Sequence, residues 1–338
     1  KGEANQMADD VVRVGIVGAG SYSRNRVLPE LRKVLGVEFV SVANSSTDSS
    51  EALARDFGVG RIAAGWQDVV SATDVDVVFN GTQAPIHRDV LMAALEADKH
   101  VLTMNPVAAT SQEAKELVDA ADARPNLKVR DFHAFPAGPY SREDELVRRL
   151  LANGEIGTVR QASFYWHTPF LAAGSYFEIL NRWLGAHRRV LAVRKQAEVD
   201  GARLAGAVVL AELASGAQVT YSHSTFTAEG ARNPRVELHG ERGTLVVLAR
   251  IKPGESVLIA KRGGSTLDPV AVPSDLQAAW ADERVVPVEE QFINWVRGGP
   301  EPGPVLLTFR KGLENLEFAD AFVASSRQGG VWVDMPAH

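Results

Sequence analysis

The residues with the clearest chemical meaning are a glycine-rich turn and three histidines. Gly18-Ala-Gly20-Ser-Tyr-Ser23 follows a short apolar run, Val11–Val17, and opens toward a helical pattern over Asn25–Leu35. In such a strand–turn–helix the first glycine permits the tight turn. The second lets the backbone approach a pyrophosphate, whose charge sits on the helix N-terminus. Gly18, Gly20, Ser21, Tyr22 and Ser23 are therefore candidate dinucleotide contacts. Ser23 stands at the third position, where glycine or alanine is the rule. The end of the second strand ordinarily reads the ribose: an acid there selects NAD, a nearby arginine NADP. Here it reads Ala43-Asn44-Ser45-Ser46-Thr47-Asp48. Asn44, Ser45 and Ser46 are the ribose candidates, and the choice between NADH and NADPH stays open.

An imidazole titrates near neutrality and serves as acid, base or hydrogen-bond partner. His87 opens a helix after the fourth strand, His133 follows the last strand of the first segment, and His167 ends a strand of the second. Each is a candidate, set against an ordinary packing role. Tyr165 and His167 fall on one face of their strand and Trp166 on the other, because strand side chains alternate. His223 and His239 lie on later strands and read as sheet-face residues.

Other chemistries are excluded. The chain has 0 cysteines, so disulfides, thiolate zinc sites, iron–sulfur ligation and a cysteine nucleophile are out. There is no His-Glu-x-x-His pair and no Gly-x-Ser-x-Gly elbow between strand and helix, so no metal is expected. Lys plus Arg is 36 against 42 Asp plus Glu, a net charge of −6. That balance argues against a nucleic-acid footprint and against a polybasic membrane anchor. No apolar run approaches the roughly 18 residues of a membrane span. Lys1–Gln6 is polar and unlike a signal peptide, and Met7-Ala-Asp-Asp reads as a natural start. Cytoplasmic residence is the expectation.

These groups must be positioned by two kinds of architecture. At roughly 150 residues per domain, 338 residues imply two domains. Strand patterns at Val11–Val17, Val37–Ala43, Val75–Asn80, His100–Thr103 and Leu127–Phe132 alternate with helical ones at Ser50–Phe57, Ile86–Ala97 and Ser111–Ala123. Alternation of this kind implies a doubly wound parallel sheet. A helix at Arg142–Asn153 follows, then strand patterns at Val159–His167, Val190–Val199, Leu204–Leu213, Gln218–Thr227, Arg235–His239, Thr244–Ile251 and Ser256–Lys261. Glu212–Gly216 and His239–Gly243 read as hairpin turns, and Val288–Val296 and Phe309–Ser325 as late helices. The expected fold is α/β: a Rossmann domain over 7–135 and an α/β domain with a large, mostly antiparallel open sheet over 136–338.

Gly18–Ser23, the stretch Asp76–His87 and Lys99-His-Val-Leu-Thr-Met-Asn-Pro106 together resemble the Gfo/Idh/MocA family of NAD(P)-dependent oxidoreductases. The resemblance continues through Asn153-Gly-Glu-Ile-Gly157, Arg182-Trp-Leu-Gly185 and Ser325–Gly330, and so covers nearly the whole chain. It implies hydride transfer between a nicotinamide and a small-molecule substrate in a cleft between the domains. It also implies a homodimer or homotetramer built through the C-terminal sheet, and it places Thr82, His87, Asn105 and Pro106 near the cofactor. Typical members carry a Glu-Lys-Pro turn, whose lysine orients the substrate hydroxyl. They also carry an Asp-x-Gly-x-His stretch, whose histidine is a general base.

This chain departs at each of those positions. Its turn is Met104-Asn105-Pro106, and Ala172-Ala-Gly174-Ser-Tyr176 stands where the acid and the histidine belong. Asn105 is neutral and can donate and accept, but cannot lower a hydroxyl pKa by charge. Tyr176, with a reference pKa near 10, is a poor base at neutral pH and a usable acid. The set suits reduction of a C=N, C=C or C=O bond, with Tyr176 as proton donor and Asn105 orienting, better than oxidation of a sugar hydroxyl. His133 and His167 are further catalytic candidates. Two other readings stand beside this one: a redox-neutral lyase, cyclase or isomerase on the same scaffold, and a non-catalytic binding protein.

Overall fold

The computed structural model describes residues 11–132, 143–167, 174–248, 255–281, 288–303 and 306–337, with backbone alone for 174–176 and 278–281. They fall into two compact units, one within 1–136 and 284–314, the other within 137–283 and 315–338.

In the first unit the strands are β1 (Val12–Val17), β2 (Val37–Ala43), β3 (Arg61–Ile62), β4 (Val77–Asn80), β5 (His100–Met104) and β6 (Val129–Phe132). All pair in parallel. Helices cover both faces of such a sheet, so the strands read as apolar runs rather than alternations, and all four residues of β4 are buried. The helices are α1 (Leu28–Lys33), α2 (Thr47–Phe57), α3 (Trp66–Val70), α4 (His87–Glu96) and α5 (Ser111–Asp122). Thr110 caps α5, its hydroxyl accepting from the Glu113 N–H at 3.2 Å. The helix expected over Asn25–Leu35 is broken in kind: Ser23–Val27 forms a widened π-type turn before α1. Pro29 lacks an N–H, and its ring crowds the carbonyl one turn earlier, so the wider turn relieves that clash.

The second unit contains α6 (Asp144–Ala152), β7 (Val159–Trp166), α7 (Gly174–Leu184), β8 (His187–Val199), β9 (Ala202–Leu213) and β10 (Gln218–Ser224). β11 (Arg235–Gly240), β12 (Gly243–Leu248), β13 (Val257–Lys261), β14 (Asp268–Pro269) and α8 (Ser274–Ala281) follow. The chain then forms α9 (Val288–Val296), β15 (Leu306–Leu307), α10 (Phe309–Arg327) and β16 (Val333–Asp334). The nine-stranded sheet runs β14-β13-β12-β11-β7-β10-β9-β8-β16 and is antiparallel except where β10 lies parallel to β7. Both expected hairpins form, β9 with β10 and β11 with β12. One face packs on helices around Phe164, Trp166, Phe177, Tyr221 and Phe318. The other is open: Val193 is 44%, Val208 56% and Leu210 39% exposed, while their neighbours Ala192, Val209 and Ala211 are buried.

A boundary at 135/136 places α9 and β15 with the second domain, but the coordinates attach them to the first unit. Leu306 and Leu307 pair with Phe132 and Asp131 of β6, extending the first sheet to seven strands. Val288, Phe292 and Ile293 of α9 enter its core beside Phe79, Met104 and Phe132. Each such aromatic or aliphatic side chain removed from water contributes about 1.5–3 kcal/mol, and that gain selects the return of the chain. Among the described residues no helix is long and apolar enough to cross a membrane.

Candidate active site

The carboxyl ends of β1, β2, β4, β5 and β6 carry most of the candidate residues as a set of linked turns. Gly18 has φ +71°, and a Cβ there would lie 2.5 Å from Thr82 Cγ2. Glycine is thus required both by conformation and by space. Its N–H donates to the Ala43 carbonyl at 2.8 Å, and the next amide, Ala19 N–H, donates to Asn44 Oδ1 at 3.3 Å. At Gly20 a Cβ would meet nothing within 4 Å, so the turn is open there to an incoming group. Ser23, at the position where glycine allows helix and strand to approach, is buried, and a Cβ on Gly81 would come within 2.9 Å of its Oγ. The missing glycine has in effect moved to the facing turn.

At the end of β2 the three ribose candidates divide. Asn44 is committed to Ala19, and its N–H donates to Ser50 Oγ at 2.9 Å. Ser46 is the N-cap of α2, its hydroxyl accepting from Ser49 N–H at 3.2 Å. Ser45 remains an exposed hydroxyl with no acid beside it on the strand. Ser21 Oγ accepts from Asn25 Nδ2 at 3.2 Å. Tyr22 is 38% exposed; burial, offset in part by the Arg26 charge, raises its hydroxyl above its ordinary pKa. Arg26 reaches the buried Glu289 of α9 at 2.9 Å, and burial pushes that carboxyl up to about 7.

The Thr82 turn is tied to Asn80, whose Oδ1 accepts from Thr82 Oγ1 at 2.7 Å, while Asn80 Nδ2 donates to Thr103 Oγ1 at 2.9 Å. His87, read from sequence as a cofactor contact, is buried and turned inward. Its Nδ1 faces the Pro106 carbonyl at 2.8 Å and its Nε2 the Thr82 carbonyl at 3.0 Å. Burial outweighs these hydrogen bonds and holds the imidazole below its ordinary pKa. The neutral ring has one N–H and donates to one of these two carbonyls, lying between the two turns with both nitrogens turned inward.

Asn105 leads into Pro106 through a cis peptide bond, and its side chain Nδ2 donates to Asp131 Oδ2 at 3.0 Å. Asp131 on β6 is fully buried, and its Oδ1 has no hydrogen-bond partner among the described residues. Desolvation pushes its carboxyl up to about 7, against the pull of the Asn105 bond. Sequence reasoning passed over Asp131. The signal was available: an acid one residue from the carboxyl end of an apolar parallel strand, facing the interior.

In the second unit His167 follows β7. Its Nε2 accepts from the Asn233 N–H at 3.1 Å, which leaves the proton on Nδ1 in the neutral ring. Burial, then the Arg232 and Arg235 charges, lower its pKa. Across the sheet, Arg235 of β11 lies 4.1 Å over the ring of Tyr165, its register partner on β7. Tyr176 falls in the first turn of α7, where its side chain lies outside the described residues; His133 and 168–173 lie outside them altogether. His223 is buried against Phe164, a core residue. His239, at the end of β11, is half-buried with Nδ1 3.3 Å from Thr244 Oγ1.

The open approach at Gly20, the glycine-only fit at Gly18 and the free Ser45 hydroxyl match what a dinucleotide requires of a Rossmann turn. Residues 12–130 match the model of the oxidoreductase family's NAD-binding Rossmann fold, and residues 168–335 that of its C-terminal alpha/beta domain. The dTDP-3,4-didehydro-2,6-dideoxy-alpha-D-glucose 3-reductase of Saccharopolyspora spinosa is 28% identical over 288 residues, 79% of this chain and 84% of its own. The D-apiose dehydrogenase of Paraburkholderia graminis is 27% identical over 348 residues, 93% of this chain and 87% of its own. The WlbA dehydrogenase of Bordetella pertussis, solved with NADH and UDP-GlcNAcA, superposes with a TM-score of 0.76 at 20% identity, over 98% of this chain and 99% of that one. With the turn geometry, the two matched domains identify the chain as a member of the Gfo/Idh/MocA family of NAD(P)-dependent oxidoreductases.

Proposed function

We propose that the protein is an NAD(P)H-dependent reductase that adds hydride to a C=O, C=N or C=C bond of a small molecule. The observation that carries this is Asn105: a neutral amide, tied to Asp131 at 3.0 Å, stands in the turn where the family's lysine is expected. An amide can hold a carbonyl or imine, but cannot draw a proton from an alcohol by charge. That the S. spinosa relative is named a 3-reductase of a didehydro sugar supports a carbonyl as the first bond to test. The D-apiose dehydrogenase relative favours the second reading, oxidation of a sugar hydroxyl on the same site.

The turn Gly18–Ser23, the Ser45 hydroxyl and the Thr82 and Pro106 turns would hold the cofactor. When bound, the reduced nicotinamide supplies the hydride. Nothing at the end of β2 repels a 2′-phosphate by charge, so the site suits either NADH or NADPH. Asn105 orients the reacting oxygen or nitrogen. Tyr176 gives its hydroxyl proton to the substrate atom as negative charge develops on it. His167, with its proton on Nδ1, is a further donor, and His133 is kept with it as a candidate from sequence.

Saturable quenching of NADH or NADPH fluorescence tests the cofactor, and its absence for both nicotinamides would end this reading. Tyr176→Phe is expected to lower turnover of a carbonyl compound by about 100-fold or more, with cofactor affinity unchanged. Unchanged turnover would remove Tyr176 from the mechanism. The open apolar face around Val193, Val208 and Leu210 supports a homodimer or homotetramer. Light scattering on the native protein and on Val208→Asp would show whether that face holds the copies together.

A further inference from the structure

We propose that Asp131 is a positioning residue whose carboxyl, ionised or protonated, sets which end of the Asn105 amide is presented to the reacting substrate oxygen. This rests on the reading above that Asn105 meets the substrate.

The geometry is a buried acid with one link to a more exposed neighbour. Asp131 is 0% exposed, and the one hydrogen bond of its side chain among the described residues is that from Asn105 Nδ2 to Oδ2, at 3.0 Å. Oδ1 is buried without a partner. In register Asp131 stands between Thr103 of β5 and Leu307 of β15. Thr103 Oγ1 is already taken by Asn80. Opposite lies Gly312 of α10, where a Cβ would come within 3.1 Å of Oδ2. The pair is thus held at a site that glycine leaves open.

Among the described residues, no charge on the surrounding elements compensates it. On β6, Arg130 turns away to Glu301 and to the Trp295 ring, 4.2 Å from its centroid. Flanking Gly312, Arg310 binds Asp122 at 2.7 Å and Lys311 binds Glu314 at 2.6 Å. His87 is engaged with the Pro106 and Thr82 carbonyls, and His100, at the far end of β5, accepts from Lys128 N–H at 2.9 Å. The proton on Asp131 is therefore governed by burial and by Asn105, and burial brings its titration up to about 7.

The two protonation states favour opposite amide orientations. An ionised carboxylate only accepts, so Asn105 must give it an N–H and present its carbonyl oxygen outward. That face accepts a hydrogen bond from an alcohol. A protonated carboxyl carries an O–H that must find an acceptor or remain buried and unpaired, which is costly. Turning the amide over supplies Asn105 Oδ1 as that acceptor and presents the NH2 outward, a face that donates to a carbonyl. Alcohol and carbonyl are the two ends of the proposed reaction. Ionised Asp131 selects the first and protonated Asp131 the second.

Side-chain amide NMR of the whole protein labelled with [15N]asparagine tests this, with the Asn105 signal identified by its loss in Asn105→Ser. The expected result is an Asn105 signal that titrates across neutrality in the native protein and is flat in Asp131→Asn. A flat native signal, or the same titration in Asp131→Asn, would overturn the proposal. Infrared spectra of the native protein give a second measurement that needs no variant at 131. A carboxylic-acid band that grows with the same midpoint as the Asn105 signal supports the coupling, and no matching band overturns it. With any carbonyl compound that the protein reduces, KM should rise about tenfold per pH unit above the midpoint, as for one required proton, and Asp131→Asn should abolish that rise. A titrating amide with a pH-independent KM would overturn the substrate-facing role of Asn105 and leave the Asp131–Asn105 coupling standing. If no carbonyl compound is reduced, the functional reading falls, and the amide titration still decides the role of Asp131.

Discussion

Two buried titratable groups in this protein look alike by burial and differ in everything else. In the second unit, His187 sits between two partners: Nδ1 faces Asn181 Oδ1, and Nε2 meets the Tyr221 hydroxyl at 2.6 Å. Phe318 closes the site edge-on, with ring centroids 4.8 Å apart, and burial pulls the imidazole down to about 3. A neutral ring donating to Asn181 and accepting from Tyr221 satisfies both nitrogens. In the first unit, Asp131 has one oxygen bonded and the other unmet, and its partner Asn105 is only half-buried. The His187 network is complete in one protonation state and has nothing left to offer. The Asp131 pair is incomplete in either state and ends at a group that can meet a ligand. Satisfaction of hydrogen bonds, more than the size of a pKa shift, separates a structural polar network from a candidate site.

The largest effect that would sharpen this contrast is expected at His187. Replacing it with Ala leaves a cavity and strands the Tyr221 hydroxyl and Asn181, a loss of about 3 kcal/mol or more in urea unfolding. Cofactor affinity should be untouched. If stability hardly changes, the network is not the structural element described here.

The pH dependence of stability should have opposite signs at the two sites. His187 titrates near 6.5 when unfolded and near 3 when folded, so the unfolded chain binds the proton preferentially. Its contribution is intact above 6.5 and is lost as pH falls toward 3. Asp131 titrates near 3.8 unfolded and about 7 folded, so here the folded protein holds the proton. Its contribution is present at acid pH and is lost as pH rises from 3.8 through 7. Asp131→Asn, which cannot ionise, is therefore expected to become the more stable protein above neutrality, by on the order of 4 kcal/mol. Urea midpoints of both proteins across the pH range would check this, and a constant gap would contradict it.

A smaller effect is expected at Tyr221. Tyr221→Phe keeps the ring edge-on to Phe177, with centroids 5.1 Å apart, and removes only the donor to His187. It should cost about 1–2 kcal/mol by leaving one buried nitrogen unpaired, and turnover per folded molecule should not change. A loss of turnover would mean that the network reaches the site, and the contrast would fail.

Much of this was legible from local pattern. The Rossmann alternation, the glycine turn and both hairpins are short-range consequences of side-chain period and backbone freedom. Tyr165 and His167 were assigned to one strand face, and the Arg235 stack on Tyr165 agrees with that alternation. The reading of Asn105 and Tyr176 as departures rests on motif register, which is a property of sequence. What local pattern missed was contact between distant segments. Asn44, read as a ribose contact, also accepts from Ala19 N–H through Oδ1, and Ser46 also caps α2. His87 looked free and is clasped between Thr82 and Pro106. The Rossmann unit is completed by α9 and β15, which lie more than a hundred residues after β6 in the chain.

The sequence by itself determined the family and the kinds of element. Composition, periodicity and motif spacing are written in the order of the residues and need no third dimension. Only the tertiary structure decided which polar groups remain free to act. A side chain's hydrogen-bond capacity is used up by whatever the fold brings beside it, and for Asp131 those neighbours arrive from β5, β15 and α10. Desolvation and unmet valence, the two properties that make that carboxyl a candidate, exist only once those segments have closed around it.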